Sequence, residues 1–278
     1  MTIPLIALND GSHIPQLGLG TFKMDPADTA RVVGEAIEIG YRHLDAAAIY
    51  GNEAEVGAAI RASGLARADF YLTTKVWNND HVAGTVPEAL HRSLDLLGVE
   101  SVDLYLIHWP LPPAGKFGQA WKQLIQLRDD GLTRSIGVAN FMPEHLEQLW
   151  QETGIKPAVN QIELHPTFQQ REVVDYCFEH GIEVESWGPL GQGKYPLLEE
   201  AEIVAAATAH GKTPAQVVLR WHLQQRFIVF PKSARMERLR ENIEVFDFEL
   251  SASEMEAITA LERGNRVGPD PRSYERYV

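Results

Sequence analysis

Eight short apolar or β-branched runs punctuate this chain, at residues 16–20, 41–44, 70–74, 102–107, 135–139, 158–163, 183–187 and 227–230. Between most of them lies a stretch with helical spacing, at 27–39, 85–97, 117–129, 143–151 and 170–180, and several such stretches close on Gly40, Gly98, Gly131 or Gly181. Strand, helix, glycine, strand is the rhythm of βαβ units. Repeated eight times it predicts an α/β fold, a (β/α)8 TIM barrel, because a doubly wound sheet usually stops at about five to seven strands. The seventh crossover is the longest and reads as two helices, 198–210 and 213–224, the second opened by Thr213 and Pro214 as N-cap and first-turn residue. Ahead of the barrel, Leu5–Leu8 and Ile14-Pro15 flank the turn residues Asn9-Asp10-Gly11, which predicts an N-terminal β-hairpin capping the barrel bottom. No low-complexity linker or charge block divides the chain, so residues 1–278 are expected to form one domain.

The formal charge of −13 argues against nucleic acid or an anionic membrane surface as a partner, since both want a basic face. The lone Cys177 rules out an intramolecular disulfide and fits a reducing compartment as an apolar filler on a helix. The N-terminal residues lack a basic, then apolar, leader, and no stretch of ~20 uninterrupted apolar residues follows. A cytoplasmic, monomeric protein is therefore expected.

Barrel enzymes work at the C-terminal ends of their strands. There the runs deliver Thr21 and Phe22, Asp45, Lys75 and Trp77, His108 and Trp109, Asn140, Gln161, Trp187, and Lys232 with Ser233. Aromatic walls with a few polar groups suit a small-molecule pocket. Tyr50, one turn beyond the second run, joins Asp45, Lys75 and His108 as a fourth ionisable group. A tyrosine is a poor proton donor at neutral pH unless a neighbouring cation lowers its pKa, and Lys75, kept charged by Asp45, is expected to be that cation. His108 can then orient a substrate oxygen toward the Tyr50 hydroxyl. Such a set needs no metal and no nucleophile. It suits protonation of an oxygen becoming an alkoxide, half of a carbonyl reduction, and leaves a hydride donor to be found.

The segments YRHLDAAAIYGNE, TTKVW, LYLIHWP, GVANF, NQIELHP and FPKSARMERLRENIEVFDFEL, in this order between about Leu8 and Pro269, resemble the ordered motifs of the aldo-keto reductases. The resemblance implies Tyr50 as general acid, Lys75 and Asp45 tuning it, and His108 orienting the carbonyl. It implies NADPH as the cofactor, without a Rossmann fingerprint, which this chain lacks. Trp187 would stack on the nicotinamide, Asn140 and Gln161 would hold its carboxamide, Thr21, Phe22 and Asp45 would line the same cleft, and Gly188, Pro189, Leu190, Gly191 and Gln192 would pass along the pyrophosphate. Lys232, Ser233 and Arg238 would take the 2′-phosphate, with Glu241 and Asn242 near the adenine; in an acidic chain, that basic cluster favours NADPH over NADH. Ala139 stands where many relatives carry Ser, removing one hydroxyl contact worth roughly 0.5–1.5 kcal/mol.

Three other readings compete. Residues 188–194 fit G-x-x-x-x-G-K, but Tyr195 occupies the Mg²⁺-ligand position of a P-loop and Pro196 obstructs an immediate helix. A Schiff-base aldolase could use Lys75 as its amine, which Asp45 opposes by keeping it protonated. A nicotinamide-binding regulator with little turnover would not need the intact tetrad. For substrate, Phe22, Ile49, Trp77, His108 and Trp109 are expected to line the pocket. GKTPAQ, RWHLQ and SWGPLGQGKY are similar to the bacterial 2,5-diketo-D-gluconate reductases, implying reduction of that sugar acid to 2-keto-L-gulonate, with methylglyoxal, other α-dicarbonyls or aldehydes as alternatives. A short tail after Pro271 is expected to leave the site rather open, with Arg272 and Arg276 as solvated charges or as contacts to a substrate carboxylate.

Overall fold

The computed structural model describes residues 3–277. The hairpin is present, with β1 (Leu5–Ala7) antiparallel to β2 (His13–Pro15). Eight parallel strands follow: β3 (Leu19–Gly20), β4 (His43–Asp45), β5 (Tyr71–Val76), β6 (Val102–Ile107), β7 (Thr133–Ala139), β8 (Val159–Glu163), β9 (Glu183–Trp187) and β10 (Ile228–Val229). Each pairs with its neighbours in chain order. The ends meet at Leu17 and Val229, where Gly18 N donates to the Val229 carbonyl at 2.9 Å and Val229 N donates to the Gln16 carbonyl at 3.0 Å. The ring is thereby closed, so none of these eight strands is left at an open sheet edge.

Outside the ring run α1 (Pro26–Ile39), α2 (Glu53–Ala62), α3 (Asn78–Ala83), α4 (Val86–Leu97), α5 (Phe117–Asp129), α6 (Pro143–Thr153), α7 (Arg171–Glu179), α8 (Ala201–His210), α9 (Pro214–Gln224), α10 (Met236–Ile243) and α11 (Ala252–Thr259). Local chemistry sets their ends. Thr213 Oγ1 accepts from Gln216 N at 3.3 Å while Gln216 Oε1 accepts from Thr213 N at 3.0 Å, a reciprocal cap that starts α9. Gly40, at φ +121, ends α1 where the chain must turn back toward β4. No helix of the described residues is long and apolar enough to cross a membrane.

Because side chains alternate along a strand, each strand feeds two cores. Leu44, Leu72, Val76, Tyr105, Ile107, Val138 and Val184 point outward and pack under the helices. Tyr71, Leu104, Leu106, Val159, Ile228 and Phe230 fill the barrel itself, and Leu8 and Ile14 from the hairpin belong to that inner cluster. The hairpin is the floor of the barrel; it is tied to it by Asn9 Nδ2 donating to the Pro157 carbonyl at 2.8 Å and by the Ser12 and Ser135 hydroxyls at 2.9 Å. Above this floor the inward positions turn polar, and that change defines where chemistry can occur.

Some sequence expectations shift. Residues 16–20 shorten to a two-residue strand plus the bridge at Leu17, residues 227–230 shorten to β10, and the helix expected at 198–210 begins only at Ala201, after a 3₁₀ turn. Helix α2 was not foreseen, because its EAEVGAAIRA sequence offers only Val56 and Ile60 as large apolar residues. Gly57 between them has a steric cause: a Cβ there would lie 2.1 Å from the Leu97 carbonyl oxygen, so α2 meets the end of α4 backbone to backbone.

Candidate active site

The four expected catalytic residues converge, though not all from loops. Lys75 lies inside β5, sharing the inward face with Tyr71 and Thr73, and is completely buried. Asp45 is the last residue of β4. Lys75 Nζ donates to Asp45 Oδ1 at 2.7 Å and to the Ala46 carbonyl at 2.9 Å, and reaches the Tyr50 hydroxyl at 3.5 Å. Tyr50 ends a short 3₁₀ turn, Ala48–Tyr50, with its ring 5.1 Å from Phe22 and 5.8 Å from His108. Thr21 secures the backbone beneath, its amide and hydroxyl both donating to the Asp45 carbonyl at 3.0 Å.

The electrostatics correct one expectation. Burial pushes the Tyr50 pKa up, and with Asp45 adding to it this outweighs the pull of Lys75, leaving the phenol at about 12. Tyr50 therefore keeps its proton at neutral pH, as a donor must. Burial alone would favour neutral Lys75, but the Asp45 charge and hydrogen bond, with Tyr50 and Glu185 nearby, more than reverse this and raise its pKa. A lysine so held is no amine nucleophile, which removes the aldolase reading. Burial, then the Lys75 charge, drives the His108 pKa well down, so its ring is neutral. Its Nδ1 is buried without a partner among the described residues. An orphaned acceptor is cheaper than an orphaned donor, which puts the ring hydrogen on Nε2.

The remaining rim residues link into one chain. Asn140, just past β7, adopts a left-handed conformation at φ +64. Its Nδ2 donates to the His108 carbonyl at 2.9 Å and its Oδ1 accepts from Trp187 Nε1 at 2.8 Å. Gln161 Nε2 donates to Asp45 Oδ1 at 3.0 Å and to Glu185 Oε2 at 2.9 Å. After Trp187 the backbone is left-handed at Gly188, Gly191, Gln192 and Gly193, and the 3₁₀ turn Gly191–Gly193 is followed by no long helix until Ala201. This is not the loop-to-helix cradle of a P-loop. Lys232 and Arg238 are exposed, while Ser233 and Asn242 are buried and Glu241 is half-buried. Among the described residues neither Lys232, Arg235 nor Arg238 forms an ion pair.

The mouth is partly roofed, contrary to the open site expected. Phe22 and Ile49 are exposed beside Tyr50, and Trp77 stands edge-on to His108 at 5.0 Å. Trp109, however, is buried, with the Tyr274 ring 4.3 Å away, and Trp77 Nε1 and Asn78 Nδ2 donate to the Tyr277 and Arg276 carbonyls at 3.2 and 2.6 Å. Arg272 is engaged by Glu144 at 2.8 Å. Glu163 fastens the same segment, accepting from the amides of Val267 at 2.5 Å and Gly268 at 2.8 Å. Tyr274, Glu163 and Glu185 were not singled out from the sequence, where nothing separates them from surface residues.

A closed eight-stranded barrel with a buried lysine–aspartate pair behind a protonated tyrosine defines a proton-donating enzyme site of the carbonyl-reducing kind. Residues 16–263 match the model of the aldo/keto reductase family. The chain is 52% identical over 271 residues to an aldo-keto reductase of Mycolicibacterium smegmatis, covering 98% of each. It is 49% identical over 271 residues to methylglyoxal reductase DkgA of Yersinia pestis, covering 98% of this chain and 97% of that one. The crystal structure of a Gox0644 mutant in complex with NADPH superposes with a TM-score of 0.95 at 43% identity, covering 99% of this chain and 100% of that one. The chain belongs to the aldo/keto reductase family, a family of oxidoreductases.

Proposed function

We propose that this protein is an NADPH-dependent reductase of small carbonyl compounds, 2,5-diketo-D-gluconate foremost, which it converts to 2-keto-L-gulonate. The observation that carries the reading is the protonated Tyr50 hydroxyl at the mouth of the barrel, flanked by neutral His108 and backed by charged Lys75. Bound NADPH supplies the hydride. His108 donates its Nε2 hydrogen to the substrate oxygen and holds it near Tyr50. Tyr50 passes its proton to that oxygen as it becomes an alkoxide, and Lys75, kept charged by Asp45, stabilises the phenolate left behind.

The hydrogen-bond inventory fits the cofactor's carboxamide. Asn140 has spent its oxygen on Trp187 and one N–H on the His108 carbonyl, so one N–H remains to donate. Gln161 has spent both N–H groups on carboxyl oxygens of Asp45 and Glu185, so its carbonyl oxygen remains to accept. One donor and one acceptor are what a primary amide requires. Trp187 is the residue to stack on the nicotinamide, residues 188–192 to follow the pyrophosphate, Lys232, Ser233 and Arg238 to bind the 2′-phosphate, and Glu241 and Asn242 to meet the adenine. In so acidic a chain, a cluster of cations after β10 that form no ion pair among the described residues supports a dianionic ligand. Arg238→Ala is expected to raise the NADPH KM by about tenfold or more while leaving the NADH KM almost unchanged, since hydrogen bonds to charged groups contribute about 1.5–3 kcal/mol; steady-state kinetics with both dinucleotides checks this.

Relatives bearing the name methylglyoxal reductase favour a second reading, in which methylglyoxal is the preferred substrate. Purified protein assayed by NADPH absorbance against 2,5-diketo-D-gluconate, methylglyoxal and an aromatic aldehyde separates the two. A higher kcat/KM for the sugar acid supports the first, and a higher value for methylglyoxal the second. Tight NADPH binding without turnover on any of them sinks both. We further propose that the enzyme acts as a monomer in the reducing cytoplasm, where the buried Cys177 stays a thiol.

A further inference from the structure

We infer that Glu185 is a positioning residue, which from inside the barrel anchors the Gln161 side-chain amide in the orientation that Asp45 selects, with the Gln161 carbonyl oxygen offered to the cofactor's carboxamide. The inference rests on the reading of Gln161 given above. The β8–β9 register places Gln161 opposite Glu185, both inward, and Glu185 is completely buried. An amide nitrogen 3.0 Å from Asp45 Oδ1 and 2.9 Å from Glu185 Oε2 sits between two acceptors. Only the NH2 end satisfies both. A reversed amide would press its oxygen against the Asp45 carboxylate and lose that hydrogen bond, whichever way the Glu185 acid turned its hydrogen. Asp45 alone, already engaged by Lys75, would hold the amide by a single bond.

The chemistry of Glu185 suits this task and little else. Burial, then the Asp45 charge, pushes its pKa up to about 8 against the opposing pull of Gln161 and Lys75, so at pH 7 it is a neutral acid. A neutral acid accepts the amide hydrogen on one oxygen without placing a second negative charge beside Asp45. The groups facing it are Asp45 from β4 and Lys75 and Tyr71 from β5. Its other oxygen, Oε1, is buried without a partner among the described residues. An apolar side chain would cost the fold less at this position, because it would bury no unsatisfied polar atom.

The test is calorimetric titration of NADPH and of adenosine 2′,5′-bisphosphate, which carries the 2′-phosphate but no nicotinamide, into four proteins: wild type, Glu185→Leu, Glu185→Gln and Gln161→Ala. Loss of one oriented hydrogen bond predicts an NADPH Kd about tenfold higher in Glu185→Leu, with the bisphosphate unchanged within about twofold. Glu185→Gln retains an acceptor oxygen and is expected to restore NADPH binding to about the wild-type value. If Gln161→Ala weakens NADPH but Glu185→Leu does not, the inference is overturned while the role of Gln161 stands. If Gln161→Ala leaves NADPH binding intact, that role and the inference fail together. Equal weakening of both ligands in Glu185→Leu marks general damage to the fold and also overturns the inference. Should Glu185→Leu not fold, Glu185→Met, unbranched and close in length, carries the same comparison.

Discussion

Replacing Tyr50 by Phe is expected to lower kcat for carbonyl reduction by roughly a hundred- to ten-thousandfold, the usual worth of a positioned general acid. The substitution removes one hydroxyl and nothing else. The ring contacts with Phe22 and His108 are aromatic and persist in Phe, and Lys75 keeps Asp45 and the Ala46 carbonyl as hydrogen-bond partners. NADPH affinity and thermal stability should therefore stay close to wild type, isolating the loss to the proton transfer. His108 cannot take over, since burial and the Lys75 charge hold its ring neutral and its one hydrogen is a weak acid. Steady-state kinetics with saturating NADPH decides the matter: a Tyr50→Phe enzyme within a few-fold of wild type would mean that another group, or water, protonates the alkoxide.

The second large effect is on stability. Lys75→Met fills nearly the same volume but strands the Asp45 carboxylate, itself only 4% exposed, with Gln161 as its remaining side-chain donor. Removing one partner of a buried ion pair costs about 3–5 kcal/mol, because the other charge stays desolvated. The pH sign follows from that stranding. A carboxylate that folding now penalises is relieved by taking up a proton, so the folded variant binds more protons than its unfolded chain above the ordinary carboxylate range near pH 4. Its stability deficit should thus be small in acid and grow as pH rises toward 8. Adding Asp45→Asn removes the stranded charge and should recover most of the stability without recovering turnover. Denaturant unfolding at pH 5 and pH 8 measures all of this, and a single variant as stable as wild type at pH 8 would show that the pair is not a desolvated one.

Much of this molecule was legible before any coordinate. The runs at 102–107 and 183–187 are strands to the residue, and 117–129 is a helix to the residue, because apolar periodicity and flanking glycines mark both the type of element and its ends. The tetrad was legible because Asp45, Tyr50, Lys75 and His108 follow apolar runs that a barrel brings to one rim. Lys75 was placed one element too late, in a loop, since a lysine normally breaks an apolar run. In the fold it continues β5, because Asp45 on the neighbouring strand meets its charge at 2.7 Å. The proton affinity of Tyr50 was misjudged for a related reason. Proximity to a cation can be guessed from sequence, but the depth of burial that outweighs it cannot.

The sequence by itself determined the barrel, its eight strands, the hairpin floor and the chemical identity of the residues at the rim, because period, turn chemistry and residue type are local properties. What only the tertiary structure decided is which polar residues are partners. In the alternation of Glu183–Trp187, Glu185 reads like any solvent-facing glutamate. Ring closure turns that face into an interior, so Glu185 becomes a buried acid on Gln161, Glu163 becomes the fastening for residues 267 and 268, and Tyr274 becomes the cover of Trp109. Those contacts join residues distant in the chain, and their energies come from desolvation and close placement, neither of which a linear pattern carries.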